Sequence, residues 1–396
     1  GEKGAPAATR TLHNDDGLVK SIRHPEGNGE IFEYDSENPV FRSRGNRIRQ
    51  QVDPGPRGGQ GYTLEFAYDP RYNLKSGAQR NANGFAITYQ LRPDGREVES
   101  IQHGTAGQDE TSFNEYGQVI ASVDNRGVST SIQYDSETGF LDTQSSGTST
   151  YQYSYDSGYA SKLGHPSEIS LPEGAPVRMT YNGKLQKTET ARGDLRELTG
   201  YDEQGRAVFI QRFLGDGKAP ITRKEYDAKG FMNRIVTEDV DVNGVAGSIE
   251  YVFTPDELSR IKSVLLPQGT LQVHELDNRG NLVRRTVGDY VEDYEVDLNG
   301  NMTAIRKGGD LVMKSEFNGL DRPVRVTRSV GSKDEVTELD YFPGGETRSK
   351  VLRDEEFGVV EDLNYGEIDA LGRTVKLAVG GTTLNPAYEY VHERNA

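Results

Sequence analysis

The chain has 396 residues, 46 of them glycine and 21 tyrosine, with 33% hydrophobic residues and neither cysteine nor tryptophan. Its formal charge of −16, from 46 basic and 62 acidic side chains, repels nucleic acid and anionic membrane surfaces. The lack of cysteine excludes disulfides, thiolate metal sites and cysteine nucleophiles, and no apolar run approaches the roughly 18 residues that cross a bilayer.

Residues 1–33 carry no clean repeated phrase and are expected to be an irregular segment or a degenerate repeat. The first residue is glycine and no signal peptide precedes it, so a processed or excised piece of a longer protein is expected. From Tyr34 onward a phrase recurs to the end, and residues 34–396 are predicted as one repeat region without a linker. The anchors are Tyr34, Tyr68, Tyr89, Phe113, Tyr134, Tyr155, Tyr181, Tyr201, Tyr226, Phe253, Leu276, Val296, Phe317, Tyr341 and Ile368. Asp or Asn follows the anchor in 12 of these 15 units, and glycine often stands four places after it. Three features agree (spacing, residue type and order), which marks architecture. The stretch DPGPRGGQG (53–61) is expected to be an irregular loop between the first two units. No segment has helical periodicity; TPDELSR (254–260) reads as a variant turn in which Glu257 replaces the glycine.

Each residue type in the phrase has a physical task. The anchor ends an extended segment, as in SIQYD (131–135). Asp or Asn bonds the backbone ahead and starts a turn. Glycine supplies a positive φ that closes it. An alternating run follows, such as Val208 and Ile210 on one face against Phe209 and Gln211 on the other. The predicted turn residues are Tyr201, Asp202, Gly205, Tyr226, Asp227, Gly230, Asp277, Gly280, Asp297, Gly300, Asp369 and Gly372. Each unit is thus a β-hairpin. A lone hairpin is marginal in water, so successive hairpins must join.

These residues resemble Rhs/YD-repeat proteins, most closely at YDEQGR (201–206), YDAKGF (226–231) and IDALGR (368–373). FNGLDRPVRV (317–326) is similar, with Asp321 where glycine is expected. The resemblance covers about residues 34–379. It implies an all-β fold of tandem antiparallel hairpins forming a long spiralling sheet, part of a hollow shell. It further implies a secreted or surface-exposed bacterial protein whose partners are an encapsulated toxin or effector region, or adjoining shell segments. The alternative it leaves open is an adhesin-like module binding carbohydrate or a cell-surface protein. The self-cleavage signature of toxin relatives does not follow Ile368, so no catalytic residue is carried over and no enzymatic activity is expected.

One local pattern stands apart. DVDVNGVAGSIE (239–250) matches a calcium loop through Asp239, Asp241, Asn243, Gly244 and Glu250. The flanks read as strands where an EF-hand needs helices, so a plain hairpin loop is the competing expectation. No other cofactor is expected. The six histidines are dispersed without ligand spacing. The tyrosine anchors either pack within the sheet or offer a stacking row to sugar; their adherence to the repeat favours packing.

Overall fold

A computed structural model describes residues 8–69, 77–215, 217, 220–242, 245–331, 333–380 and 382–384. Over these the chain forms thirty-three β-strands and three single-turn 3-10 helices, and no α-helix. It divides into two compact units. Unit 1 comprises Gly1–Thr111, Asp124–Arg126 and Glu292–Ala396, and unit 2 comprises Ser112–Val123 and Gly127–Val291. The repeat region expected from residue 34 onward is therefore shared between both.

In unit 2 the strands from Ser129–Tyr134 to Leu282–Val287 pair antiparallel, each with its neighbour in chain order. In unit 1 the strands from Arg10–His13 to Val98–His103 do the same. So do those from Met302–Lys307 to Thr382–Leu384. The expected tandem antiparallel hairpins are the fold.

Sequence alternation sets which residues face inward. Ser129–Tyr134 and Ala86–Leu91 switch between exposed and half-buried at every residue, as the two-residue period of a strand requires. The core is thin. Only a few apolar side chains, including Phe32, Val52, Val236 and Val264, are buried, and among the described residues no large side chain is fully enclosed. The accessible surface is 24796 Å², against about 15,000 Å² for a compact protein of this mass. The low hydrophobic content thus matches a chain that covers little of its own surface. Arg–Glu pairs directly opposite each other, such as Arg212 with Glu197 at 2.7 Å and Arg325 with Glu338 at 3.0 Å, line strand faces. Exposed pairs of this kind contribute about 0–1 kcal/mol each.

Three departures from the sequence expectation have physical reasons. Of the two expectations for the segment before residue 34, the irregular segment gives way to the degenerate repeat, which already holds the hairpin. Arg10–His13 and Val19–Arg23 pair around Asn14–Gly17, with the Asn14 amide donating to the Leu18 carbonyl at 2.8 Å. His13 fills the anchor seat there, which hides the phrase. The anchors assigned to Tyr89 and Phe253 shift by two residues. The turns span Arg92–Gly95 and Asp256–Ser259, so Leu91 and Pro255 are the anchors. Accordingly Ser259 (φ 61°), and not Glu257, takes the glycine seat. Several repeats, where others have longer loops, also have a second, two-residue turn at the other end of their strands. Examples are Gly147 between Ser146 and Ser149, and Gly193 before Asp194 between Arg192 and Leu195. Gly308 and Gly309 (φ 57° and 97°) between Lys307 and Asp310 both need the left-handed region, as a type I′ turn demands.

Candidate functional site

The predicted turn residues converge on one geometry. In YDEQGR the Asp202 amide donates to the Arg206 carbonyl at 3.0 Å, and the Gly205 amide donates to the Asp202 carbonyl at 3.1 Å. Gly205 sits at φ 86°, and the strand register slips there so that Tyr201 faces Ala207. This is a type I turn closed by a left-handed residue, the three-residue hairpin with a G1 bulge. The Asp202 side chain fixes it from within. One carboxylate oxygen accepts the Arg206 amide at 2.8 Å and the other accepts Arg206 Nε at 2.7 Å. Desolvation opposes ionisation, yet these bonds to Arg206 hold the Asp202 carboxyl below its usual range.

The two backbone bonds of the turn and the carboxylate's bond to the amide four residues on recur at Asp227–Gly230, Asp277–Gly280, Asp297–Gly300 and Asp369–Gly372. Asp321 (φ 57°) and Leu185 (φ 63°) occupy the glycine seat without being glycine. In Gly205→Val the β-branched side chain meets both a positive φ and Gln186 Nε2, which lies 3.0 Å from where a Cβ would stand. The expected loss is about 1–3 kcal/mol, read as a lower urea midpoint.

The anchor tyrosines do what packing alone does not require. Eight of them donate their hydroxyl to a backbone carbonyl of the preceding repeat. Tyr226 reaches Ala207 at 3.0 Å, Tyr201 reaches Lys187 at 2.9 Å, and Tyr34 reaches Val19 at 2.8 Å. The acceptor is in each of these cases two residues past the left-handed seat, beside the bulge. Arg206 adds a second tie, its guanidinium lying 4.3 Å from the centre of the Tyr226 ring. The tyrosine therefore couples each hairpin to the one before it, which explains a preference for Tyr over Phe. Tyr226→Phe is expected to cost about 1 kcal/mol, measured by equilibrium urea denaturation.

Unit 1 contains a further arrangement that the sequence does not announce. Turns near its start lock onto turns some 240 to 289 residues later. Arg57, from the loop at 53–61, bonds Asp297 at 2.6 Å and Glu26 at 3.1 Å. Glu26 accepts the Leu298 amide at 2.9 Å, and Asn299 donates to Asn28 at 3.1 Å. The Gly319 amide donates to the Gly58 carbonyl at 2.7 Å. Asn83 accepts the Gly344 amide at 2.7 Å and donates to Glu346 at 2.9 Å. Arg373 holds Asp369 at 2.6 Å and reaches Asn125 at 3.2 Å. The loop expected to be merely irregular thus supplies the centre of an interlock, through its 3-10 turn Gly55–Arg57.

The residues of the calcium pattern are placed differently. Met232–Val242 and Val245–Pro255 form a long hairpin, as the strand-like flanks led one to expect. Asn243 and Gly244 lie outside the described residues. Asp239 (φ 59°) sits in the irregularity of the ladder between Thr237 and Val240. Asp241 is opposite Ala246 while Glu250 is opposite Val236, so Glu250 stands four strand residues, about 13 Å, from the level of Asp241. Arg234 bonds Glu250 at 2.6 Å and holds its carboxyl below the usual range. The structure does not bring Glu250 to the loop end. Among the described residues, no group of three or more His, Asp or Glu side chains is arranged to hold a metal.

No protein-family model matches the chain, and no curated protein matches it in sequence. Among solved structures, the crystal structure of TcdB2-TccC3 is similar with a TM-score of 0.69 at 13% identity, covering 96% of this chain and 23% of that one. The crystal structure of TcdB2-TccC3-Cdc42 is similar to the same TM-score at 12% identity and the same coverage. The fold is therefore the tandem YD-repeat hairpin fold that the YD phrase implied, shared with these toxin-complex chains. This chain spans under a quarter of their length.

Proposed function

We propose that this chain is a non-catalytic segment of a YD-repeat shell in a secreted bacterial protein, one that sequesters an effector region of the same polypeptide. The observation that supports this most is the interlock of unit 1. Hairpins joined only to their chain neighbours form a strip with two open turn edges. Bonds between turns that lie 240 to 289 residues apart let such a strip close a wall edge to edge. A wall needs rigidity and polar edges but no deep core, in keeping with the thin interior. Catalysis has no part in this reading: the carboxylates of the phrase are committed to their turns.

The test is electron microscopy of the native full-length polypeptide, combined with limited proteolysis. A curved wall about a cavity, with a protease-resistant guest segment that becomes sensitive when the wall is unfolded, is expected. A solid body, or a full-length protein with every segment equally open to protease, refutes encapsulation. Specific retention on a glycan or cell surface would favour the adhesin instead.

A further inference from the structure

Unit 2 carries a cleft of about 360 Å³ over four consecutive strands, Val177–Tyr181, Lys187–Arg192, Leu195–Tyr201 and Ala207–Leu214. The register puts Val177, Arg192 and Leu195 in one row. Thr190, Glu197 and Arg212 form a row two rungs further, on the same face because a strand repeats every two residues. Both rows line the cleft, with Lys187 and Phe213 completing it.

The charges of this cleft do not cancel. Arg212 is neutralised by Glu197 at 2.7 Å, and Arg196 by Glu189 at 2.5 Å. Lys187 and Arg192 also line it, and among the described residues neither has a carboxylate within ion-pair distance. Elsewhere on this chain arginines are mostly paired across strands, and the net charge is −16. Two unpaired cations on a face that also carries the apolar side chains Val177 and Leu195 are therefore a local inversion. Leu195 is 56% exposed, an apolar side chain left open at the mouth.

We infer that this cleft binds a small organic acid: a carboxylate held by Arg192, on an aromatic or aliphatic body that covers Leu195 and Val177, with Lys187 about 13 Å further along the strand adding only to the positive field. The guanidinium matches a carboxylate in two parallel bonds, a geometry that ammonium lacks. An inorganic anion would leave the leucine and valine surface wet, and a neutral apolar molecule would leave Arg192 unanswered. The volume falls at the lower end of small-molecule sites, roughly 300–1,000 Å³. The site is separate from the proposed shell role and stands without it.

Isothermal titration of the intact chain at low ionic strength tests this, with naphthalene-2-carboxylate as probe. Saturable one-site binding is expected, at least about tenfold tighter than naphthalene-2-carboxamide or acetate. Arg192→Gln should weaken it about tenfold with an unchanged urea midpoint, since the side chain is exposed and has no hydrogen-bond or ion-pair partner among the described residues. Arg178→Gln removes a cation that is paired with Glu168 at 2.7 Å and lies outside the cleft, and should leave binding intact. Equal affinity for the carboxamide, unchanged binding in Arg192→Gln, equal loss in both variants, or no saturable binding would each overturn the assignment.

Discussion

Gly319→Ala should unfold unit 1 at a markedly lower urea concentration than the parent, with a loss of about 3 kcal/mol or more. A Cβ at this position would lie 1.6 Å from the Pro54 carbonyl oxygen and 3.0 Å from the Gly58 carbonyl oxygen. Both obstacles are backbone, so no rotamer change relieves the clash and the two turns must separate. Overpacking typically costs 1–3 kcal/mol where side chains adjust. Here the Gly319 amide must also surrender its 2.7 Å bond to Gly58, and the buried polar groups nearby lose their partners. Gly183 is a useful control, because nothing lies within 4 Å of a Cβ there and its φ is not in the left-handed region. Gly183→Ala should therefore be close to neutral. An equal midpoint for Gly319→Ala and Gly183→Ala would show that the interlock does not hold in solution.

That contrast also measures how much was legible in the sequence. The turn chemistry was legible because all of it is local: Asp202, Gly205 and Arg206 act within five residues. Asp321 was recognisable as a substitute for glycine because the phrase around it stayed intact. Where the phrase departs from its pattern the anchor is displaced by two residues: Arg92 stands in the acid's place after Leu91, and Pro255 stands in the anchor's place before Asp256 with Ser259 in the glycine seat. A period-two strand keeps apolar residues at both positions, so only an intact phrase fixes the end. His13 concealed a whole hairpin for a similar reason. The tyrosine hydroxyl bonds were hidden in a different way, since they join neighbouring repeats and leave no mark beyond the choice of Tyr over Phe. The interlock was not legible at all. Its participants, such as Arg57 and Gly319, lie far apart in the chain, and one belongs to a loop outside the repeat pattern. In the sequence Gly319 reads as an ordinary turn residue.

Breaking the Arg57–Asp297 pair should destabilise unit 1 by about 3 kcal/mol in Arg57→Met, more than any single loss at an exposed ion pair. Asp297 has a side chain only 5% exposed and accepts from Arg57 at 2.6 Å and Asn301 at 2.9 Å. Removing one partner of a pair this enclosed leaves an unpaired buried charge, at a typical cost of 3–5 kcal/mol. Desolvation pushes the Asp297 carboxyl upward, but the bonds to Arg57 and Asn301 outweigh it and the net displacement is downward. The sign of the pH dependence follows. A carboxyl whose folded value lies below its unfolded value of about 3.9 stabilises fully above that value. The contribution fades as pH falls through the folded value. Arg57→Met removes the main cause of the downward shift, so its deficit relative to the parent should be large at pH 7 and shrink below about pH 4. The double variant Arg57→Met with Asp297→Asn should recover part of the loss, since it buries two neutral groups in place of one stranded charge. Urea midpoints at pH 7 and pH 3.5 for the four proteins of this cycle provide the check. A deficit in Arg57→Met that is the same at both pH values would mean that Asp297 is not held ionised by Arg57, and that shape alone joins these turns.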